Sequence, residues 1–295
     1  GRGNVKAGKK AVISAIEHSA VRESAELLRE AGFEVVTVPV SEEGVVDPQR
    51  FADACEGAAV AGLMLVINEI GTVQPVAETV KAAKANNPRL HFHCDAVQAL
   101  GKVNIDVHEL GVDSLAVAAH KLHGPKGVGA LWLKGGARVA PLWGGGGHQG
   151  GLRSGTLNVP GIAGFGTAIG LANENQEHNR VRFLGFAEAL LAAAQKSGKT
   201  VAVNGGKAAR APHILSLAFS GVPAEPLLHV LESRGIMVSA GSACSERDRR
   251  PSHVLSAIAL APEFGTIRFS FGRFTTDDDI AKASQILTDA LKSFA

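Results

Sequence analysis

Short β-prone runs alternate with helix-periodic stretches through the first two-thirds of the chain, and this alternation restricts the fold more than any other feature. KKAVISAI (9–16), FEVVTVPV (33–40), AGLMLVI (61–67), RLHFHC (89–94), DSLAVAA (113–119) and GVGALWL (127–133) read as strands. Residues 19–32 place Val21, Ala25, Leu28 and Ala31 on one helical face and stop at Gly32. Pro48 and Pro75 each open a further helix, because a proline at the first helical position gives up no hydrogen bond. Strand, helix, strand at this spacing predicts βαβ units and a mostly parallel sheet covered on both faces.

Beyond the glycine-rich stretch the rhythm changes. Glycine accounts for 35 of 295 residues and gathers at HGPKGVG (123–129) and WGGGGHQGGLRSG (143–155), where sharp turns and a close approach of backbone to a bound group are expected. Residues 160–196 read as mostly helical. They are followed by HILSLAFSG and IMVSAG as strands, AEPLLHVLESRG and PSHVLSAIAL as helices, GTIRFSFGR as a strand and residues 275–294 as a helix. The expectation is an α/β protein with a large domain over 1–175 and a smaller α+β domain over 176–295.

Several classes are excluded by composition. Hydrophobic residues make up 45% and charged residues 20%, which suits a globular chain and not a disordered one. The net charge of +2 carries no basic block, which argues against a nucleic-acid or anionic-membrane surface. The longest apolar runs are strand-sized, well short of the ~20 residues a membrane span needs. The basic N-terminus GRGNVKAGKK is followed by no long apolar stretch, so no signal peptide is read there. Three cysteines, Cys55, Cys94 and Cys244, make no disulfide framework and no metal-site spacing with histidine, and a reducing, cytoplasmic setting is expected.

Ligands of open α/β sheets sit beyond the carboxyl ends of the strands. Polar residues cluster there: His18 after the first strand, Asn68 after AGLMLVI, Asp95 and Gln98 after RLHFHC, and His120 and Lys121 after DSLAVAA. Asp95 and Lys121 taken alone fit either a helix cap with a solvated lysine, or a lysine joined to an aldehyde cofactor whose ring nitrogen pairs with the aspartate.

The strings HCDAVQALGK and AAHKLHGPKGVGAL decide between these, because they resemble the cofactor region of the cysteine desulfurase and selenocysteine lyase family, class-V aminotransferase relatives of fold type I. ISAIEHSAV, INEIGTVQPV, GGGGHQGGLRSGTLNVPGIAGFG, SAGSACSERDRRPSHVLSAI and GTIRFSFGRFTT resemble the same family, in its order and over essentially the whole chain. The resemblance implies pyridoxal 5'-phosphate. Lys121 would hold it covalently and shuttle the substrate Cα proton. Asp95 would pair with the ring nitrogen, Gln98 would hydrogen-bond the ring oxygen, His18 would stack on the ring, and His120 would line the site. Asn68 would approach the ring oxygen or the substrate carboxylate, and Arg268 would clamp that carboxylate with its fork of donors. Thr156 would reach the phosphate of a neighbouring subunit, which makes a homodimer.

Cys244 lies in GSACSERDRR, where Arg247, Arg249 and Arg250 would favour a thiolate. The resemblance makes it the nucleophile that takes sulfur from L-cysteine as a persulfide, releasing L-alanine and supplying a sulfur acceptor such as an iron–sulfur scaffold. Cys55 and Cys94 read as core. Relatives begin earlier, with an Ala-Thr pair at a helix N-terminus that cradles the phosphate, and many carry serine where Ala118 stands; GRGNVKAGKK offers no counterpart. Selenocysteine lyase and a cofactor-poor scaffold that binds sulfur acceptors are the alternatives. An ordinary aminotransferase or kynureninase-like hydrolase has no use for the SAGSAC thiol.

Overall fold

The computed structural model describes residues 2–141, 143–240 and 252–294. The chain divides into two compact units, one of residues 1–39, 46–65 and 74–174, the other of residues 40–45, 66–73 and 175–295.

The first unit is built on six strands: β1 (Lys10–Ser14), β2 (Glu34–Val38), β3 (Val60–Met64), β4 (His91–Asp95), β5 (Ser114–Ala118) and β6 (Gly129–Leu133). Their order is β2-β1-β3-β4-β5-β6. The first five run parallel and β6 runs antiparallel to β5. The helices are α1 (Ser19–Glu30), α2 (Pro48–Ala54), α3 (Val76–Asn86), the single turn α4 (Val107–Leu110) and α5 (Val159–Glu174). Pro48 opens α2 behind Asp47, whose carboxylate accepts the Arg50 N–H at 2.8 Å. α3 starts behind Pro75, as its ring geometry favours.

The run AGLMLVI is continuously apolar because β3 lies inside the sheet, with strands on both sides and residues 61–67 all buried. Phe92 in the middle of β4 is wholly buried and meets Phe51 of α2 with ring centroids 5.9 Å apart. α1 is strongly amphipathic, yet Ala25 alone of its residues is fully buried, and Leu27 stays 58% exposed.

The second unit carries an antiparallel sheet, β7 (Val201–Val203), β8 (Ile214–Ser220) and β9 (Phe264–Ser270), in that order. Its helices are α6 (Gln176–Gln195), α7 (Ala224–Ser233), α8 (His253–Ala257) and α9 (Asp277–Lys292). Phe183 and Phe186 of α6, Leu217 of β8, Leu227 of α7 and Phe271 share one core. Thr276 and Asp279 form a reciprocal capping box that starts α9. Residues 66–73 join this unit through Val73, whose N–H donates to the Ala209 carbonyl at 2.8 Å, and Thr72, whose hydroxyl donates to the Gly44 carbonyl at 3.1 Å.

One predicted strand is corrected. Among its described residues, 236–240, IMVSAG makes a single bridge, between Ser239 and Arg268, in which Arg268 N–H donates to the Ser239 carbonyl at 2.7 Å. Its first N–H, on Ile236, is committed to the Leu231 carbonyl and closes α7, so no ladder develops.

Removing the ring of Phe92 leaves a cavity that the surrounding strands cannot close. Phe92→Ala is expected to cost about 3–5 kcal/mol, against less than about 0.5 kcal/mol for exposed Leu27→Ala. Urea unfolding followed by the fluorescence of Trp132 and Trp143, both in this unit, measures the difference.

Candidate active site

Asp95 is the last residue of β4 and is only 6% exposed. Its Oδ1 accepts the Val97 N–H at 3.0 Å, while Oδ2 accepts no hydrogen bond from the described residues. The strand is fixed on both sides. The Asp95 carbonyl accepts from Leu65, and Asp95 stands level with Ala116 of β5, whose carbonyl accepts the next N–H, from Ala96, at 2.9 Å.

β5 ends at Ala118 and runs directly into a short 3-10 turn, Ala119–Leu122, which carries His120 and Lys121. The turn has two apolar pegs. Ala119 and Leu122 are buried against Phe165 and Ala168 of α5, while His120 and Lys121 between them are exposed. Ala119 N–H donates to Val128 and its carbonyl accepts from Gly124 at 3.0 Å. A Cβ on Gly124 would stand 3.0 Å from that carbonyl oxygen and 3.2 Å from the Ala168 Cβ, so glycine is what lets the loop close here. Partial burial, then the positive charges of Lys121 and Lys126, push the His120 imidazole below its ordinary value, which favours the neutral ring.

His18 caps α1, its Nδ1 accepting the Ala20 N–H at 3.1 Å. With Nδ1 used as the acceptor, the proton of the neutral ring sits on Nε2. Directly before it, Glu17 is fully buried, accepting from Ser14 Oγ at 2.5 Å and from Met64 N–H at 3.0 Å. Sequence reading passed over Glu17; a glutamate wedged between Ile16 and a strand-end histidine was the available signal. Gln98 is half-buried three residues past Asp95, and Thr156 is exposed in the glycine-rich segment.

In the second unit, Arg268 of β9 donates from Nη1 to the Asn68 carbonyl at 2.9 Å, so these two predicted residues stand together there. Glu69, also buried, accepts the Ser252 hydroxyl. Cys244, with Arg247, Arg249 and Arg250, lies outside the described residues. Cys55 and Cys94 are wholly buried. Burial pushes the Cys55 thiol up to about 12 and the Cys94 thiol well above its ordinary value, which leaves neither as a nucleophile.

A carboxylate and an amine thus leave neighbouring parallel strands at one end of the sheet, and the family profile for aminotransferase class-V matches residues 1–282. This chain belongs to the class-V aminotransferase family. A relative named cysteine desulfurase IscS from Dictyoglomus turgidum is 40% identical over 283 residues, covering 95% of this chain and 71% of its own length. A solved NifS-like protein superposes with a TM-score of 0.88 at 30% identity, covering 100% of this chain and 79% of that one. A second, described as SspA in complex with cysteine, gives a TM-score of 0.73 at 28% identity over 91% of this chain and 75% of that one. Among class-V aminotransferases the fold is that of type I, a mostly parallel large sheet with a smaller antiparallel one, as the strand orders here show. Enzymes of the family work with pyridoxal 5'-phosphate.

The residues present fit that group. A largely buried carboxylate with one oxygen uncommitted suits a protonated ring nitrogen, and a lysine held between two buried pegs suits a covalent anchor. Ala118 brings no hydroxyl to the end of β5.

The two core thiols provide a check on the cysteine assignment. Iodoacetamide at pH 8 is expected to leave the Cys55 and Cys94 peptides of the folded chain unmodified, and to alkylate both in urea. Mass spectrometry of the digests distinguishes the two states.

Proposed function

We propose that this chain is a pyridoxal-phosphate-dependent cysteine desulfurase, taking sulfur from L-cysteine and releasing L-alanine. The observation that carries the reading is the placement of Asp95 at the end of β4 and of Lys121 in the turn that follows the neighbouring parallel strand β5, in a chain that matches cysteine desulfurases along 95% of its length.

When bound, the cofactor supplies a cationic ring able to store the electron pair released at the substrate Cα. Asp95 would keep that ring's nitrogen protonated, and Gln98 would hydrogen-bond its oxygen. Lys121 would hold the cofactor covalently, and its Nζ would carry the proton to and from the substrate Cα. His18 would line the cofactor site with Nδ1 held by the Ala20 N–H, while neutral His120 would keep further positive charge away from the lysine. Arg268 binds the substrate carboxylate with two parallel N–H groups, and Asn68 orients it. The Cys244 thiolate attacks the substrate sulfur. The new S–S bond leaves a persulfide on Cys244, and the electron pair of the broken C–S bond is taken up by a proton at Cβ, which gives alanine. An acceptor protein then removes the outer sulfur.

A homodimer completes this reading, with Thr156 donating to the phosphate bound by the partner subunit. Its surroundings support that role: Trp143, Leu157, Val159 and Ile162 are exposed apolar side chains close to Thr156 in sequence. Buried free thiols suit a cytoplasmic setting, and no helix among the described residues is long and apolar enough to cross a membrane.

The test is the visible absorption of the purified chain with pyridoxal phosphate, before and after L-cysteine, with alanine and sulfide measured together. Lys121→Ala is expected to lose the cofactor band and to reduce turnover by at least about a hundredfold. Cys244→Ala is expected to keep the band and lose sulfur transfer. A Cys244→Ala chain that still delivers sulfur at the parent rate would contradict the reading.

A further inference from the structure

The first unit buries one carboxyl that the proposed chemistry does not use. Glu17 is fully buried just beyond β1. Its Oε1 accepts from two strand ends at once: the hydroxyl of Ser14, last residue of β1, and the N–H of Met64, last residue of β3. Met64 is in turn level with Asp95 in the parallel register of β3 and β4, and the next N–H, from Leu65, donates to the Asp95 carbonyl at 2.9 Å. One carboxyl therefore ties the ends of two strands together and stands one strand away from a second carboxyl. The residue after it is His18.

We propose that Glu17 is a positioning residue for the cofactor end of the sheet: as a neutral acid it clamps β1 to β3, fixing where His18 and Asp95 stand, and leaves Asp95 as the negative charge offered to the ring nitrogen. The inference rests on the pyridoxal-phosphate reading above.

The surroundings support the neutral form. Burial pushes the Glu17 carboxyl up to about 8, against the pull of the Ser14 and Met64 hydrogen bonds, and the nearby Asp95 adds to the rise. Asp95 and Cys94, both on β4, are among the ionisable groups that face it. Cys94 is pushed up by burial first, then by Asp95 and by Glu17 itself, which keeps its thiol neutral. Ionising Glu17 would bury a second negative charge one strand away from Asp95, which favours loosening of the strand ends.

The Glu17 carboxyl is raised in the folded chain from its ordinary value of 4.5. The unfolded chain therefore releases this proton first, and stability falls as pH rises from about 4.5 to about 8, then levels. Gln is the same shape, keeps the accepting oxygen and does not titrate.

The experiment uses the full chain, with Glu17→Gln, Glu17→Ala and Ser14→Ala variants. Urea unfolding without cofactor is followed by tryptophan fluorescence from pH 5 to 9, and pyridoxal phosphate binding by absorbance titration at pH 7 and pH 9. The parent-minus-Gln difference in unfolding midpoint is expected to slope downward with pH to about 8. Glu17→Gln is expected to bind the cofactor within about twofold of the parent at pH 7, and more tightly than the parent at pH 9. Glu17→Ala is expected to bind roughly tenfold more weakly at pH 7, the scale of a lost buried hydrogen bond. Ser14→Ala removes one arm of the clamp and moves affinity the same way, should the alanine at 17 prevent folding. Identical pH slopes for parent and Glu17→Gln would overturn the proposal, as would parent-like cofactor affinity in both Glu17→Ala and Ser14→Ala. A parent chain that takes up no pyridoxal phosphate sinks the functional reading and the positioning role with it, and the unfolding curves still tell whether Glu17 is the buried neutral acid.

Discussion

Parallel pairing of β4 with β5 is the constraint on which the site depends. Strands that run the same way deliver their carboxyl ends to one edge, where backbone ladders stop and side chains of unlike chemistry can face a common space. Asp95 closes one strand, and the turn bearing Lys121 follows the next. The register between them is set by burial on one face, since Phe92, Cys94 and Leu115 all lie there and a slip of one residue would turn a strand's apolar set to the other face. Hydrophobic burial on β4, β5 and the turn after it places the carboxylate and the amine.

The same economy holds at smaller scale. His120 and Lys121 are exposed because Ala119 and Leu122 on either side of them are not. His18 reaches the strand end as the cap of α1, so one imidazole both starts a helix and presents Nε2–H. Arg268 is anchored on the antiparallel sheet, where its guanidinium already donates to the Asn68 carbonyl, which limits the rotamers a carboxylate clamp would otherwise have to freeze.

Much of this was legible in the residues. Period-two and continuous apolar runs marked β1 to β5, and prolines 48 and 75 marked where helices begin. The antiparallel direction of β6 was not legible, because GVGALWL looks the same read either way and direction is set by the short turn through residues 119–128. β7 has three residues, too few to show a period. IMVSAG has the composition of a strand, yet its first N–H closes α7. The inclusion of residues 40–45 and 66–73 in the second unit depends on hydrogen bonds to residues more than a hundred positions away, such as Val73 to Ala209, and no local pattern encodes them. Glu17 was invisible for a related reason: a charged letter reads as surface until the strands around it are assembled.

The most direct measurement of the central claim is to load the chain with pyridoxal phosphate, reduce it with borohydride, digest it and sequence the labelled peptide by mass spectrometry. The account expects the phosphopyridoxyl mass on Lys121 alone, and its loss when L-cysteine is added before reduction. A label on Lys126 or another lysine with Lys121 unmodified, or no label at all, would contradict it.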